Sequence, residues 1–453
     1  MKKNSNLLNG NILYVFLNYL FPSIGGMLGT SLYVLADTIF VGRSLGSQGL
    51  AALNISIPVM NIFSGLGLLL GVGGATLVSI YKGKNKNNQT HTIFTYSIIS
   101  CILIGVLITF LGLYYLNDIA LFLGAKSKNI LNMSKNYLQI LISFSLFFIL
   151  NSALVVFIRN DNAPKLSMIA MLSGTISNVI LDYIFMFKFN LGIKGAAFAT
   201  VLSPIISLSI LSIHFITKKN TIKLATSKLD FNLLKRIISN GMPSLIVESM
   251  AGIIIFAFNN VILSIEGNLG VSAYSIIANL SLFCAAIFNG ISQAIQPIIS
   301  INYGACQNNR VHETVKLGIY TSLIFGLLFF IIGQLFPEQL SLMFMKKCDN
   351  VLVNLTTNGI RLYSISFIFM GLNSVMISYL QSMEFSKVST FMSICRGFLM
   401  VLIGLLVFPR FFNLKGVWIT LPFAEFTTFI LSLIIYKECL FIIKYSLKWD
   451  IKN

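Results

Sequence analysis

Four carboxylates stand inside long apolar stretches of this sequence, namely Asp37, Asp182, Glu248 and Glu425. The chain has only 14 acidic residues, and the others fall in predicted loops or near the ends of apolar stretches. A carboxylate at the depth of a lipid bilayer is costly to bury, so it faces a cavity, pairs with a cation or carries an ion. These four side chains therefore indicate ion binding and transport.

Long apolar helices must position these carboxylates. The chain has 453 residues, of which 56% are hydrophobic and 10% are charged, too few polar residues to cover a soluble core of this size. Each apolar run approaches the ~20 residues that cross ~30 Å of hydrocarbon. We therefore expect an all-α integral membrane protein with twelve transmembrane helices, at residues 11–43, 51–81, 93–116, 131–157, 165–187, 194–217, 237–264, 272–300, 314–336, 356–382, 387–409 and 416–440.

The basic residues indicate the topology. Lys and Arg number 32, which gives a formal net charge of +18. Loops on the side of the N-terminus carry about twice as many of these residues as loops on the opposite side, so we expect both termini in the cytoplasm. The chain is then a multi-pass protein of the cell membrane. Its basic excess faces anionic lipid headgroups, and no nucleic-acid partner is expected.

The sequence repeats itself at an offset of 221 residues, where Pro22 matches Pro243 and Gly83 matches Gly304. Six spans in each half give parallel repeats, related by an axis along the membrane normal, and such folds place substrate sites between the halves. We predict an amino-terminal lobe at 1–217, a cytoplasmic linker at 218–236, a carboxy-terminal lobe at 237–440 and a cytoplasmic tail at 441–453.

Polar residues of the first half fall at similar depth on three predicted spans. Asp37 lies near the end of span 1, Asp182 in span 5 and Thr200 in span 6, while Asn178 shares a helix face with Asp182 through i, i+4 spacing. Two close carboxylates in a low dielectric cannot both ionise freely, so the group could take up a proton. It could equally hold Na⁺ through its oxygens, or it could be a polar cluster that only joins the helices.

The second half carries different charges. The positions equivalent to the two aspartates are Phe258 and Ile403, so both acids are lost. Glu248, Arg396 and Glu425 instead lie about ten residues from a membrane face, at a depth of ~15 Å. We expect a Glu–Arg–Glu cluster there, with a role in substrate binding or gating, or in holding the half in one packing arrangement.

Other polar residues predict little chemistry. Arg159 and Asp161 fall in a turn that we expect to be solvated, with an ion pair inside it. His91, His214 and His312 lie near span ends, and no G-x-x-x-x-G-K-[ST] phosphate loop is present. The six cysteines have no C-x-x-C spacing and predict neither a disulfide framework nor a metal site. We therefore expect a transporter driven by an ion gradient, not an enzyme, and no cofactor.

Seven sequence segments resemble one family of transporters. They are LADTIFVG at 35–42, LGSQGLAALN at 45–54, RNDNAPK at 159–165, SNVILD at 177–182, GIKGAAFAT at 192–200, CRGF at 395–398 and GVWITLPFAE at 416–425. Together they resemble the multidrug and toxic compound extrusion (MATE) family, closest to its bacterial MepA- and DinF-like branch. The resemblance implies two six-helix lobes that form a V around a central cleft. It also assigns a cation site in the first lobe to Asp37, Asn178, Asp182 and Thr200, with Tyr137 nearby.

The resemblance and the buried charges together predict a secondary active multidrug exporter that contributes to antibiotic resistance. It would exchange amphipathic organic cations for inward H⁺ or Na⁺ by alternating access, as a monomer. A lipid-linked oligosaccharide flippase is the alternative, but it needs a cationic cavity, and Arg396 is the one Arg at mid-membrane depth. A membrane sensor or scaffold without transport activity is a more distant alternative.

Overall fold

The computed structural model describes residues 5–125, 127–225, 230–344 and 350–450, and the side chains of residues 7–435 within these ranges. Every regular element in these ranges is helical, so each segment satisfies its own backbone groups, as a chain in lipid requires. The helices are α1 (Ser5–Asn9), α2 (Ile12–Gly83), α3 (Asn87–Tyr114), α4 (Leu116–Phe122), α5 (Lys128–Ser143), α6 (Ser145–Asn160), α7 (Pro164–Tyr183), α8 (Gly192–Ile216), α9 (Phe231–Gly304), α10 (Asn308–Leu335), α11 (Pro337–Leu342), α12 (Asn350–Tyr363), α13 (Ser366–Ser382), α14 (Ser386–Ile394) and α15 (Met400–Asp450). Single π-helical turns at Ile184–Lys188 and Cys395–Leu399 follow α7 and α14.

Three long helices are broken by one residue each. Gly46 breaks α2 with φ 64° and ψ −154°, and Gly267 breaks α9 with φ 65° and ψ −151°. Asn413 breaks α15 at φ 50°. A positive φ is strained for residues with a Cβ, which explains glycine at the first two positions and asparagine at the third.

Seven helices in the described ranges are long and apolar enough to cross a membrane. Two bent pairs, α5 with α6 and α12 with α13, pass the same test together, with bends of 54° and 44°. Three of the seven, namely α2, α9 and the segment Ser386–Ile435, contain the breaks at Gly46, Gly267 and Asn413 and so supply two spans each. The described residues therefore account for twelve spans, as the sequence predicts.

The internal repeat is visible in the helix boundaries. The first and last residues of α10 lie 221 positions after those of α3. The breaks at Gly46 and Gly267 are separated by the same 221 positions. The bends of the two broken pairs also correspond, at Phe144 and at 364–365. The two halves thus share one succession of helices.

The first compact unit comprises Met1–Ile253, Ala286–Gly318 and Ser378–Lys387. Within it α2 approaches α6 so closely that a Cβ on Gly71 would meet the backbone of Ala153. Edge-on rings such as Phe94 and Phe157, with centroids 5.1 Å apart, fill the adjacent core. Backbone contact and aromatic packing therefore fix the helices that carry the polar residues of the first half.

The second compact unit comprises Ile254–Ala285, Ile319–Ile377 and Val388–Asn453. Three rings stack in its core: Phe258 lies over Tyr274 with centroids 5.0 Å apart, and Tyr274 faces Trp418 at 6.2 Å. A Cβ on Gly359 would meet the Trp418 indole, so glycine lets α12 approach the stack. Parallel offset rings of this kind stabilise a core beyond the apolar area that they bury.

Candidate functional site

Asp37 and Asp182 lie on adjacent helices, and both are buried. Asp37 is on the first part of α2 and Asp182 on α7, with exposed fractions of 6% and 0%. The two helices are in close contact, because a Cβ on Gly29 of α2 would meet the side chain of Leu172 on α7. The carboxylates interact electrostatically with each other. The structure therefore brings the two aspartates into one buried region.

Unsatisfied polar atoms surround this pair. Asn178, one turn before Asp182 on α7, is fully buried. Both of its amide atoms, both oxygens of Asp182 and Oδ1 of Asp37 have no hydrogen-bond partner among the described residues. Such groups are rare and costly in folded proteins. A proton or Na⁺ bound among these oxygens would satisfy them, because hard cations prefer oxygen ligands.

Thr200 and Tyr137 complete the set that the sequence predicts. The Thr200 hydroxyl donates to the Ala196 carbonyl at 2.9 Å. The Tyr137 hydroxyl lies 3.2 Å from the Thr200 oxygen, and because the Thr200 proton is already used, Tyr137 donates to Thr200. Tyr137 is fully buried and interacts electrostatically with both aspartates. All five predicted first-lobe residues thus lie in one region, which α2, α5, α7 and α8 supply.

The sequence analysis did not identify Tyr33 as part of this region. Tyr33 lies on α2 one turn before Asp37, and it interacts electrostatically with Asp37, Asp182 and Glu248. The i, i+4 spacing to Asp37, which places both side chains on one helix face, is the sequence feature that could have identified Tyr33.

Glu248, on α9, lies against α2, since its Cβ is 3.5 Å from where a Cβ on Gly65 would stand. Glu248 is half-buried and forms no ion pair with a described residue.

Arg396 and Glu425 form a largely buried ion pair in the second compact unit. Arg396 Nε donates to both Glu425 oxygens at 2.9 and 3.1 Å, and its other nitrogens donate to Ser374 Oγ at 2.8 Å and the Met370 carbonyl at 3.1 Å. Asn373 Nδ2 donates to Glu425 Oε2 at 2.7 Å. Arg396 occupies the π-helical turn Cys395–Leu399.

The predicted Glu–Arg–Glu cluster is therefore wrong in one member, because Arg396 pairs with Glu425 while Glu248 forms no ion pair with a described residue. The sequence analysis assigned both glutamates to the cluster because their positions along the predicted spans put them at the same depth in the membrane. The rotation and packing of the helices then decided which carboxylate meets the arginine, and they are not visible in the sequence.

The expected solvated turn around Asp161 is also wrong. Arg159 and Asp161, at 3% and 2% exposure, are buried and do not pair with each other. Asp161 accepts from Lys82 Nζ at 2.5 Å, His214 Nε2 at 2.8 Å and the Thr221 amide at 2.8 Å. Burial by itself would raise the pKa of Asp161, but the hydrogen bond from His214 and the charge and hydrogen bond of Lys82 lower it to about 2.

The segment after α8 is held against the first half by alternate backbone amides. Besides Thr221, the Lys223 amide donates to His91 Nδ1 at 3.2 Å and the Ala225 amide donates to Thr95 Oγ1 at 2.9 Å. Alternate residues of an extended chain face the same side, so one edge of this segment lies along α3. Asp161 therefore anchors the start of the segment that joins the two halves.

The broken spans, the internal repeat and the buried carboxylates define a polytopic helical membrane transporter. The profile of the MatE family matches residues 22–184 and 243–406, which are the two repeats. The chain therefore belongs to the MATE family, as the sequence motifs predict.

Relatives and solved structures agree with this assignment. The chain is 27% identical over 406 residues to the multidrug export protein MepA of Staphylococcus saprophyticus, covering 89% of each chain. It is 26% identical over 417 residues to MepA of Staphylococcus aureus, covering 91% of each. A crystal structure of MATE in complex with MaL6 superposes with a TM-score of 0.92 at 22% identity, over 97% of this chain and 99% of that one. The predicted fold of twelve helices in two lobes is confirmed.

Proposed function

We propose that this protein is a secondary active multidrug exporter. It exchanges amphipathic organic cations for inward H⁺ or Na⁺ across the cell membrane by alternating access, as a monomer with both termini in the cytoplasm. The MepA relatives, which are multidrug export proteins, support the efflux activity at 26 to 27% identity over most of the chain.

The group of unsatisfied oxygens on Asp37, Asn178 and Asp182 carries the coupling part of this proposal. A structural cluster would use its hydrogen-bonding capacity internally, as Arg396 and Glu425 do. Oxygens without partners suit an ion that enters and leaves during the cycle, because the site then exists in a loaded and an empty form. Both H⁺ and Na⁺ suit this site, since carboxylate, amide and hydroxyl oxygens can bind either ion.

The proposed preference for cationic substrates rests on Glu248 and Tyr33. Glu248 has no cationic partner among the described residues, and it lies close enough to Tyr33 for an electrostatic interaction. A free carboxylate and an aromatic ring in one region favour an organic cation through charge and cation–π attraction. Arg396 is already bonded to Glu425, which argues against a pyrophosphate site and hence against a flippase.

Transport by purified protein in liposomes tests the proposal. Flux of a cationic dye such as ethidium is followed with a pH gradient at equal Na⁺, and separately with a Na⁺ gradient at equal pH. We expect one of the two gradients to drive dye accumulation. An ionophore that dissipates this gradient should abolish the accumulation. A flux equal to that of protein-free liposomes under both gradients would contradict the proposal and favour a sensor or scaffold. A flux that ignores both gradients would contradict ion coupling alone.

A further inference from the structure

The predicted cytoplasmic ends of helices from both halves meet within the first compact unit. A Cβ on Gly83 of α2 would meet the backbone next to Gly304 of α9, and a Cβ on Gly304 would meet the backbone of Ile80. A Cβ on Gly241 of α9 would likewise meet the backbone of Leu69. The two helices therefore touch backbone to backbone, and glycine is the residue that permits this approach.

Ile237 of α9 packs into the apolar core of the first half, and polar side chains join the halves beside these glycines. Gln296 of α9 accepts from Asn160 Nδ2 at 3.1 Å and donates to Thr76 Oγ1 at 2.8 Å, and Arg159 donates to Gln293. Gln296 is 5% exposed. The two bonds of Gln296 join neutral groups, which exchange protein partners for water at small net cost, so this polar part of the contact can separate and reform.

Arg236, Glu384 and Tyr81 lie at the rim of this contact. The guanidinium of Arg236, near the start of α9, donates to Glu384 at 2.8 to 3.1 Å and to the Tyr81 hydroxyl at 2.8 Å. It also lies 5.6 Å from the centre of the Tyr81 ring. Glu384 orients the arginine, and Tyr81, on α2, is the group of the first half that the arginine holds.

This ion pair differs from the others in the described ranges by its hydration. The side chains of Arg236 and Glu384 are 42% and 24% exposed, whereas those of Lys82 and Asp161 are 3% and 0% exposed. Because Arg236 is this exposed, water can replace the Tyr81 hydroxyl when α2 and α9 separate, while Glu384 stays paired with the arginine. A buried pair is costly to open, which suits permanent packing.

We propose that Tyr81, Arg236 and Glu384 form a reversible latch that holds the cytoplasmic ends of α2 and α9 together and opens once in each transport cycle. The latch rests on the proposed exporter function and adds gating residues to it. The ion site does not include these residues, because none of the three belongs to the buried group around Asp37.

Accessibility of a buried thiol tests the latch without any transport substrate. Ser300 of α9 is fully buried. Ser300→Cys is introduced into a chain whose six native cysteines are replaced by serine. Inside-out vesicles then present the predicted cytoplasmic side to a membrane-impermeant thiol reagent, and the labelling rate is measured. Arg236→Gln removes the latch, and Tyr81→Phe removes only its hydroxyl.

We expect slow labelling of the Ser300→Cys parent. Arg236→Gln should increase the labelling rate about three- to tenfold, because the loss of one exposed charged contact shifts a two-state equilibrium by that factor. Tyr81→Phe should give a smaller increase and covers the case in which Arg236→Gln fails to insert. Lys235→Gln is the matched control, because it removes the adjacent exposed charge, which makes no ion pair with a described residue.

Equal rates for Arg236→Gln, Tyr81→Phe and the parent would overturn the latch. Fast labelling of the parent, or of Lys235→Gln to the same degree as Arg236→Gln, would overturn it as well. Because this readout needs no coupling ion, it stands even where the liposome experiment shows no ion-driven flux.

Discussion

Asp37 and Phe258 occupy equivalent positions, 221 residues apart, and both side chains are buried. Asp37 has an oxygen without a hydrogen-bond partner among the described residues, while Phe258 is stacked 5.0 Å from Tyr274. Ile403, the counterpart of Asp182, is 41% exposed. The second repeat thus has a stacked aromatic ring in place of Asp37 and an exposed aliphatic side chain in place of Asp182. We infer that the first half alone supplies the coupling ion site.

Substituting Asn for either aspartate of the first half should uncouple transport. Asp37→Asn and Asp182→Asn keep the size of the side chain and remove its charge. We expect ion-driven dye flux to fall about tenfold or more, since an amide neither takes up a proton nor gives Na⁺ a charged ligand. Flux in liposomes under the active gradient checks this.

Asp118→Asn is the control for that pair, because Asp118 is exposed at the start of α4. It should transport like the parent. If Asp37→Asn and Asp182→Asn insert normally and still accumulate dye at the parental rate, the ion site lies elsewhere.

Thr200→Val should weaken the site by removing one hydroxyl while keeping the side-chain shape. The Tyr137 hydroxyl, 3.2 Å away, would lose its partner in a fully buried position. We expect a loss of about 1–3 kcal/mol in the free energy of unfolding. Thermal unfolding in detergent measures it, with Thr200→Ser as the variant that keeps the hydroxyl. A Thr200→Val protein as stable as Thr200→Ser would show that the hydrogen bond contributes nothing.

Neutralising one member of the Arg396–Glu425 pair should destabilise the second compact unit. Arg396→Gln or Glu425→Gln leaves a buried charge without compensation, at a cost of about 3–5 kcal/mol. The double variant removes both charges and should unfold at a higher temperature than either single variant. Non-additivity in a double-mutant cycle is the diagnostic, and additive losses would mean that the two groups do not interact.

The same variants separate packing from gating. A double variant that regains stability and dye flux together would assign the pair to packing. One that regains stability without flux would assign it to the transport cycle.

Asp161 should stabilise the first compact unit over the whole physiological pH range. Its pKa of about 2 lies below the unfolded value, so its contribution is complete above about pH 4 and is lost as pH falls through the folded pKa. Asp161→Asn leaves Lys82 buried without its counter-charge, and we expect a loss of about 3–5 kcal/mol. Thermal unfolding at several pH values measures both effects.

Asp161→Asn should also free the segment that Asp161 anchors through Thr221. Trypsin cleavage after Lys218, Lys219 or Lys223 then becomes faster in inside-out vesicles. Glu313→Gln, at an exposed position on α10, is the control. Unchanged cleavage in Asp161→Asn would show that the segment is held by other contacts.

The sequence predicted the helices better than the contacts between their side chains. Hydropathy over ~20 residues is a local property, so the twelve spans and the equivalence of Gly46 and Gly267 follow from the chain alone. Asp37 and Asp182 also follow from the chain alone, because acids within apolar stretches are rare, whereas Tyr137 was assigned only by the family resemblance. The partners of Asp161 were not predicted, since Lys82 and His214 lie 79 and 53 residues away along the chain.

Composition, periodicity and the internal repeat determined that this protein is a duplicated helical membrane transporter with acids in its first half. Tertiary structure decided which glutamate meets Arg396, that Tyr33 lies beside the aspartates, and that Arg236 holds Tyr81. The reason is physical: depth in a membrane follows from position along a helix, whereas contact between side chains depends on how each helix is rotated and packed. Rotation and packing are fixed by many distant residues acting together, of which glycines such as Gly29 and Gly71 are examples.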